Sequence, residues 1–333
     1  MLFRSVRTRA VYGRAIAYGA GVEERRTSTL DLPLVLTVTT IALWALNIPV
    51  VKVGLDGWAP MAFSFFRFGI GALLYIAFVL VREGTLRVRR QDIPLFLIGG
   101  LTGIALNQYA FMYALKETSA SIVTLLFATT PLWAALLARA LGWEFVKPLF
   151  WVAVAVSIGG VFLVIVGTGA TMDTASAWGV LLALGAPLTW GCYSVIIRPL
   201  LSRYSATHVS ALMMAVGAPV VGIVGVPQLV DQDVGAFPAS SWVAMAYALV
   251  ASLIVANLLW FIAIHKAGSA RAVALMPLQP FLGVLFSALL LGERLDWREG
   301  VGGVIIVIAV AVAVRNVVPV DRAHDQREVG IQE

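Results

Sequence analysis

The sequence predicts an all-α integral membrane protein with ten transmembrane helices arranged as two inverted five-helix repeats. Composition is the first observation behind that reading: 60% of the 333 residues are hydrophobic and 13% are charged, against roughly 25% charged in a soluble domain. The second is a succession of apolar runs from Leu32 onward, each of about 20 residues and so long enough to cross hydrocarbon as a helix. The third is an internal duplication. Asn107-Gln108-Tyr109-Ala110-Phe111-Met112-Tyr113-Ala114-Leu115-Lys116 is echoed without a gap by Asn257-Leu258-Leu259-Trp260-Phe261-Ile262-Ala263-Ile264-His265-Lys266. Ser119-Ala120 then returns as Ser269-Ala270, Pro131 as Pro280 and Glu144 as Glu293. A polar residue, a lysine, a small pair, a proline and a glutamate recurring in order through apolar sequence mark a duplicated unit.

Taken in order, residues 1–31 are a basic tail in which Arg4, Arg7, Arg9, Arg14, Arg25 and Arg26 outnumber Glu23, Glu24 and Asp31. It has no run long enough to span and neither the apolar core nor the cleavage site of a signal peptide. It is expected either as a disordered tail or as a helix lying on anionic lipid. Spans follow at 32–53, 59–81, 93–115, 119–140 and 148–169, which make a first repeat over 32–170. Those at 177–198, 207–229, 240–264, 270–292 and 298–318 make a second over 177–318, and residues 319–333 are a C-terminal tail. Helices are expected because lipid satisfies no backbone group and the alternating pattern of a barrel is missing.

Charge gives the orientation. Of the 24 lysines and arginines, only Lys52, Lys116, Arg294 and Arg298 fall on the side opposite the N-terminus, and only Arg67 lies within a span. This bias places both termini in the cytoplasm. Five spans per repeat is an odd number, so the second half must be inverted relative to the first, an arrangement typical of transporters that alternate between two faces. The same distribution turns the net charge of +6 into a topological signal rather than a nucleic-acid surface.

The duplication reaches back to the first helix of each half, where Trp44-Ala45-Leu46-Asn47 through Lys52 matches Trp190-Gly191-Cys192-Tyr193 through Arg198. Trp44 with Asn47, and Trp190 with Tyr193, share a face by their spacing, as do Asn107 with Phe111 and Asn257 with Phe261 beside Trp260. Two readings stand for these amides: interhelical hydrogen bonds that hold the bundle, or the lining of a substrate pathway. At 1.5 Å per residue, Asn47 and Asn107 lie roughly 20 Å from the cytoplasmic end and Arg67 roughly 12 Å below the outer end. The three are expected in the outer half and, by inversion, Tyr193 and Asn257 in the inner half, giving two polar layers with a cavity between. Arg67 reads either as a cap on carbonyls at the outer boundary or as a handle for a carboxylate or phosphate, since intramembrane charge marks function and a guanidinium grips planar anions. Pro131 and Pro280 would break helical hydrogen bonds at matching places, the better pointer to a site and its gates. Gly99-x-x-x-Gly103 and Gly302-Gly303 allow close helix approach.

Other chemistry is missing. No aspartate or glutamate falls mid-span, which disfavours proton relays and cationic-drug sites. Glu144 and Glu293 are read as ending the fourth and ninth helices in a turn. The single Cys192 excludes a disulfide framework and a multi-cysteine metal site. There is no G-x-x-x-x-G-K-[ST] and no H-E-x-x-H, so no cofactor, metal or catalytic residue is expected, and the chain is not read as an enzyme.

With these residues in hand, the chain from 32 to 318 resembles the ten-helix EamA family of the drug/metabolite transporter superfamily. The resemblance is carried by Trp44 to Lys52, Pro60 with Arg67-Phe68, Ala114-Leu115-Lys116 to Ser119-Ala120, Pro131, Lys266, Ser269-Ala270, Pro280 and Gly292-Glu293-Arg294. The first half departs at Gly142-Trp143-Glu144-Phe145, where the family shows a glycine-glutamate-arginine run. The family implies a carrier of the bacterial inner membrane that exports amino acids, other small metabolites or toxic compounds by alternating access. Read from the residues, an aromatic-lined cavity with amides, one arginine and no buried carboxylate suits a zwitterionic or weakly anionic amphipathic molecule such as an amino acid. The alternatives are a multidrug efflux carrier and, from other classes, a membrane-embedded enzyme or a scaffold. The expected partners are therefore a small-molecule substrate and the lipid bilayer, with no nucleic acid.

Overall fold

A backbone threaded through apolar sequence hydrogen-bonds to itself, and almost all of the described chain is accordingly helix. The computed structural model describes residues 32–167, 174–267, 275–276 and 278–319; the tail 1–31 and residues 320–333 lie outside them. The helices are α1 (Leu32–Gly54), α2 (Pro60–Glu83), α3 (Arg90–Glu117), α4 (Ala120–Ala140), α5 (Pro148–Gly167), α6 (Thr174–Ile196), α7 (Ala206–Val230), α8 (239–267), α9 (Leu278–Leu291) and α10 (Trp297–Arg315). Eight contain stretches long and apolar enough to cross a membrane, while Pro148–Val164 and Leu278–Leu291 are shorter apolar helices. The protein is an all-helical integral membrane protein.

Local chemistry sets the helix ends. Pro60 opens α2, where its missing N–H costs nothing, and Gly84 at φ 73° closes it in the left-handed region while donating to the Leu80 carbonyl. Ser119 and Ser205 cap α4 and α7 by accepting the N–H of Ile122 and His208. Asp296 and Glu299 form a capping box at α10.

Three features depart from uninterrupted α-helical spans, the first of them at the break expected from Pro131. The span expected as one helix over 119–140 is two, Ala120–Phe127 and Thr130–Ala140, with Pro131 in the first turn of the second. Glu144–Val146 and Val317–Pro319 pair as a short antiparallel ribbon, β1 with β2. Finally, α3 and α8 contain π-helical stretches, Leu101–Leu106 and Tyr247–Val255. They end one and two residues before the duplicated asparagines Asn107 and Asn257.

Packing joins the two halves of the sequence throughout. Helix α2 packs on α7, α5 on α10, α3 on α6, and α1 on both α8 and α9; α4 packs on α6 and α9, and α3 also on α7. Exchanging each helix for the one five places along leaves these main pairings unchanged. Glycines allow the closest approaches. Gly100 and Gly217 bring α3 and α7 together, Gly103 faces the Tyr193 ring, and Gly160 of α5 lies against the backbone of Gly302 in α10.

The ends are tied by polar contacts, and their partners show how the helices alternate in direction. At one end, Gln232 and Gln228 accept the N–H groups of Ala59, Met61 and Ala62 at the start of α2. Lys52 lies 3.6 Å from Glu293 at this same end, where α1, α3 and α9 finish. At the opposite end, buried Asp92 is paired with Arg203 and accepts from the Tyr204 hydroxyl. His208 lies 3.2 Å from Glu83 there, and Arg198 lies 2.7 Å from Glu144. Glu144 and Glu293 thus do more than end their helices in turns, because each carboxylate bridges to a helix of the other half.

Gly302 tests the close packing. A Cβ there would lie 2.6 Å from the Gly160 carbonyl oxygen, whereas one on Gly300 meets open space. Gly302→Val should cost about 1–3 kcal/mol by overpacking and lower the melting midpoint in detergent, and Gly300→Ala should leave that midpoint in place.

Candidate functional site in the helix core

Two residues three apart on one face of α2, Ser64 and Arg67, open a belt of buried polar groups. Ser64 donates to Gln108 Oε1 at 3.1 Å, and the Gln108 amide donates to Asn107 Oδ1 at 3.3 Å. The Asn107 amide reaches across to α6, where it donates to the Ala186 carbonyl at 2.8 Å and to the Thr189 hydroxyl at 3.2 Å. The belt thereby crosses α2, α3 and α6. Ser64, Arg67, Asn107, Gln108 and Ser252 are all buried, so each must find its partners within the protein.

Arg67 is the exception. Its Nη2 reaches only Ser252 Oγ of α8, at 3.5 Å, and its Nε has no partner. The guanidinium lies over the Phe68 ring, 5.2 Å from the centroid. Among the described residues no carboxylate pairs with it. A buried cation without an anion is among the costliest features a fold can carry. Its planar fork of donors is then free to take up a carboxylate in a medium where charge-assisted hydrogen bonds are strong.

The other residues singled out from the sequence divide into two groups. Asn47 is buried, and its Oδ1 has no partner. Trp44 of α1 meets Trp260 of α8 with ring centroids 5.3 Å apart, and Trp190 meets Tyr193 one turn along α6 at 5.0 Å. Phe111 packs edge-on to Phe127 at 5.9 Å within the largest apolar cluster. Asn257, by contrast, donates to the Leu253 carbonyl of its own helix, so it does not mirror the cross-helix bonds of Asn107. The Phe261 side chain and residues 268–274 and 277 lie outside the described residues; Pro280 stands in the first turn of α9. Asn47, Asn107 and Arg67 make no direct hydrogen bond to one another. Asn107 is held by α6, and Arg67 by α8.

Gln108, Ser64 and Ser252 were missed, and the reason is informative. The duplication directed attention to positions that recur, and the counterpart of Gln108 is Leu258. Two signals pointed to them: the adjacent amides Asn107-Gln108 in an apolar run, and a serine three residues before the only mid-span arginine. Ser252 lies in the π-helical part of α8, whose Leu253 carbonyl accepts from both the Tyr75 hydroxyl and the Asn257 amide. Such π turns release backbone groups from the regular ladder, and they gather at functional sites.

Comparison with known proteins bears on the same segments. The sequence profile of the EamA-like transporter family matches twice, over residues 32–166 and 177–315. A probable terminal-alkyne amino-acid exporter of Streptantibioticus cattleyicolor is 32% identical over 187 residues, which span 55% of this chain and 60% of that protein. A probable amino-acid metabolite efflux pump of Escherichia coli strain K12 is 24% identical over 291 residues, 84% of this chain and 94% of the relative. A crystal structure at 21% identity superposes with a TM-score of 0.58 over 84% of this chain and 95% of its own, a likeness of fold.

The two asparagines should separate on mutation. Asn107→Ala removes bonds between helices and should cost roughly 1–2 kcal/mol, whereas Asn257→Ala loses only a bond within its own helix and should cost less than about 0.5 kcal/mol. Denaturant-induced unfolding of each purified variant in detergent measures the difference.

Proposed function

The chain belongs to the EamA-like transporter family, whose members carry solutes across membranes rather than catalyse reactions, and from that premise we propose that it exports amino acids or similar small amphipathic metabolites. The observation that carries this reading is Arg67, a buried guanidinium with a free donor and no carboxylate partner among the described residues. A substrate carboxylate would supply the missing anion, drawing on the difference between a paired and an unpaired buried charge. The amides of Asn107 and Gln108 and the orphan Oδ1 of Asn47 are polar groups of the size that an ammonium or side-chain group would need. Acidic residues of the described helices fall in their first or last turns, which favours a zwitterion or weak anion over a cationic drug. The names of the two relatives, both exporters of amino-acid compounds, agree with that class.

The proposed mechanism is alternating access between two inverted halves, 32–170 and 177–318, each of five spans, with both termini in the cytoplasm. The doubled profile match and the exchange-invariant helix pairing support it. So does the charge bias across the loops. Under this scheme the halves swap conformations and carry a central site from one face of the inner membrane to the other.

Uptake of labelled amino acids into proteoliposomes tests the proposal. A saturable flux is expected, with Arg67→Ala lowering kcat/KM about 10- to 100-fold, the scale of one charged hydrogen-bonding partner, and Arg67→Lys falling between because it keeps charge without the fork. The flux should persist under an uncoupler, since no acid lies mid-span. Undiminished flux in folded Arg67→Ala would return the arginine to a structural role. Flux of hydrophobic drugs with none of any amino acid would favour the multidrug reading.

A further inference from the structure

The duplication relates the charges at the two ends of the molecule as well as the polar residues within it. Lys52, in the last turn of α1, corresponds to Arg198, just beyond α6; Glu293, just beyond α9, corresponds to Glu144, beyond α4. Each cation finds the glutamate of the other half. Lys52 Nζ lies 3.6 Å from Glu293 Oε1, and Arg198 Nη1 donates to Glu144 Oε1 at 2.7 Å. One pair closes α1 against α9 at one end, and the other closes α6 against α4 at the opposite end.

We propose that these two ion pairs are the gating latches of transport, each holding its own mouth shut while the other opens. The inference rests on the alternating-access reading. Symmetry separates these contacts from the helix seams. A contact that maps onto itself when the halves exchange, such as α2 on α7 or α5 on α10, persists unchanged in both states. A contact that maps onto a different one is free to open in one state while its counterpart stays closed. The α1–α9 and α6–α4 contacts are such a pair, and each carries an ion pair.

The latches are unequal. Glu293 also accepts the N–H groups of Ala120 and Ser121 at 2.8 and 2.9 Å and the Ser121 hydroxyl at 2.6 Å. It therefore satisfies orphan donors at the start of α4, where a carboxylate also meets the positive end of the helix. Lys52 donates to the Thr118 carbonyl, so this knot gathers the ends of α1, α3, α4 and α9. The Arg198–Glu144 pair is shorter, but the arginine side chain is 50% exposed, against 29% for Lys52, and water screens it. Its glutamate sits on the β ribbon that ties α4 to the end of α10. The Glu293 latch therefore engages more partners than the Glu144 latch, which lies at the end that is cytoplasmic by the charge bias.

Thiol accessibility tests the latches without needing a substrate. In a Cys192→Ser background, Ile48→Cys lies one turn inward from Lys52, and Val195→Cys lies about one turn inward from Arg198; both native side chains are buried. A membrane-impermeant maleimide is applied to right-side-out and inside-out vesicles. Glu293→Gln should raise labelling at position 48 about two- to fivefold, the scale of a partly exposed ion pair, and lower it at 195; Glu144→Gln should do the reverse. Lys52→Met should repeat the Glu293→Gln effect while leaving the carboxylate on the α4 terminus, which guards against misfolding. The exchange Arg198→Glu with Glu144→Arg should restore wild-type rates. Both positions rising together, or neither moving, would overturn the latches. Both cysteines labelled at once in a single otherwise wild-type molecule would instead overturn alternating access itself.

Discussion

Hydrocarbon offers no partner to a stray amide, hydroxyl or charge, and the arrangement of this protein depends on how the chain meets that constraint. Most polar groups are satisfied locally: threonine and serine hydroxyls return to carbonyls one turn back, as Thr37, Thr124, Thr189 and Ser287 do. The groups that reach across helices are few, and they define the interior. Asn107 holds α3 to α6 through the Ala186 carbonyl, Ser64 and Gln108 join α2 to α3, and Tyr247 holds α8 to the Leu43 carbonyl of α1. Six buried polar atoms among the described residues are left without a partner, on Asn47, Trp58, Arg67, Ser157, His208 and Ser241, and Arg67 is the only one of them that carries a fixed charge.

The same constraint explains the paired π stretches. A π turn costs regular hydrogen bonds, and it persists where neighbouring side chains take up what it releases. In α8 the Leu253 carbonyl serves Tyr75 and Asn257 at once. In α3 the stretch coincides with the close approach of Gly100 and Gly103 to α7 and to the Tyr193 ring. Both lie just ahead of the duplicated asparagines, so the irregular backbone and the polar side chains share one depth in each half.

Apolar contact and polar contact divide the work of holding the halves together. The pairs α2–α7 and α5–α10 bring glycine against backbone or ring, as Gly225 does with Met61 and Gly160 with Gly302. Such packing tolerates no added volume. The ion pairs lie elsewhere, at the helix ends, and those of Glu144 and Glu293 lie partly in water, where a contact of modest strength is made and broken at little cost.

Much of this was legible in the residues themselves. Apolar runs, the charge bias and the recurrence of Asn, Lys, Ser-Ala, Pro and Glu determine an all-helical membrane protein with a duplicated sequence, because hydropathy and charge act residue by residue along the chain. They also single out Arg67, since a lone mid-span cation is visible without coordinates. What remained hidden depends on which helices meet. The bond from Asn107 to α6, the bridges from Glu144 and Glu293, the β ribbon and the role of Gln108 join residues tens to hundreds of positions apart. Helix periodicity states which face a residue occupies but not what that face touches. Only the packing of one half against the other decided that.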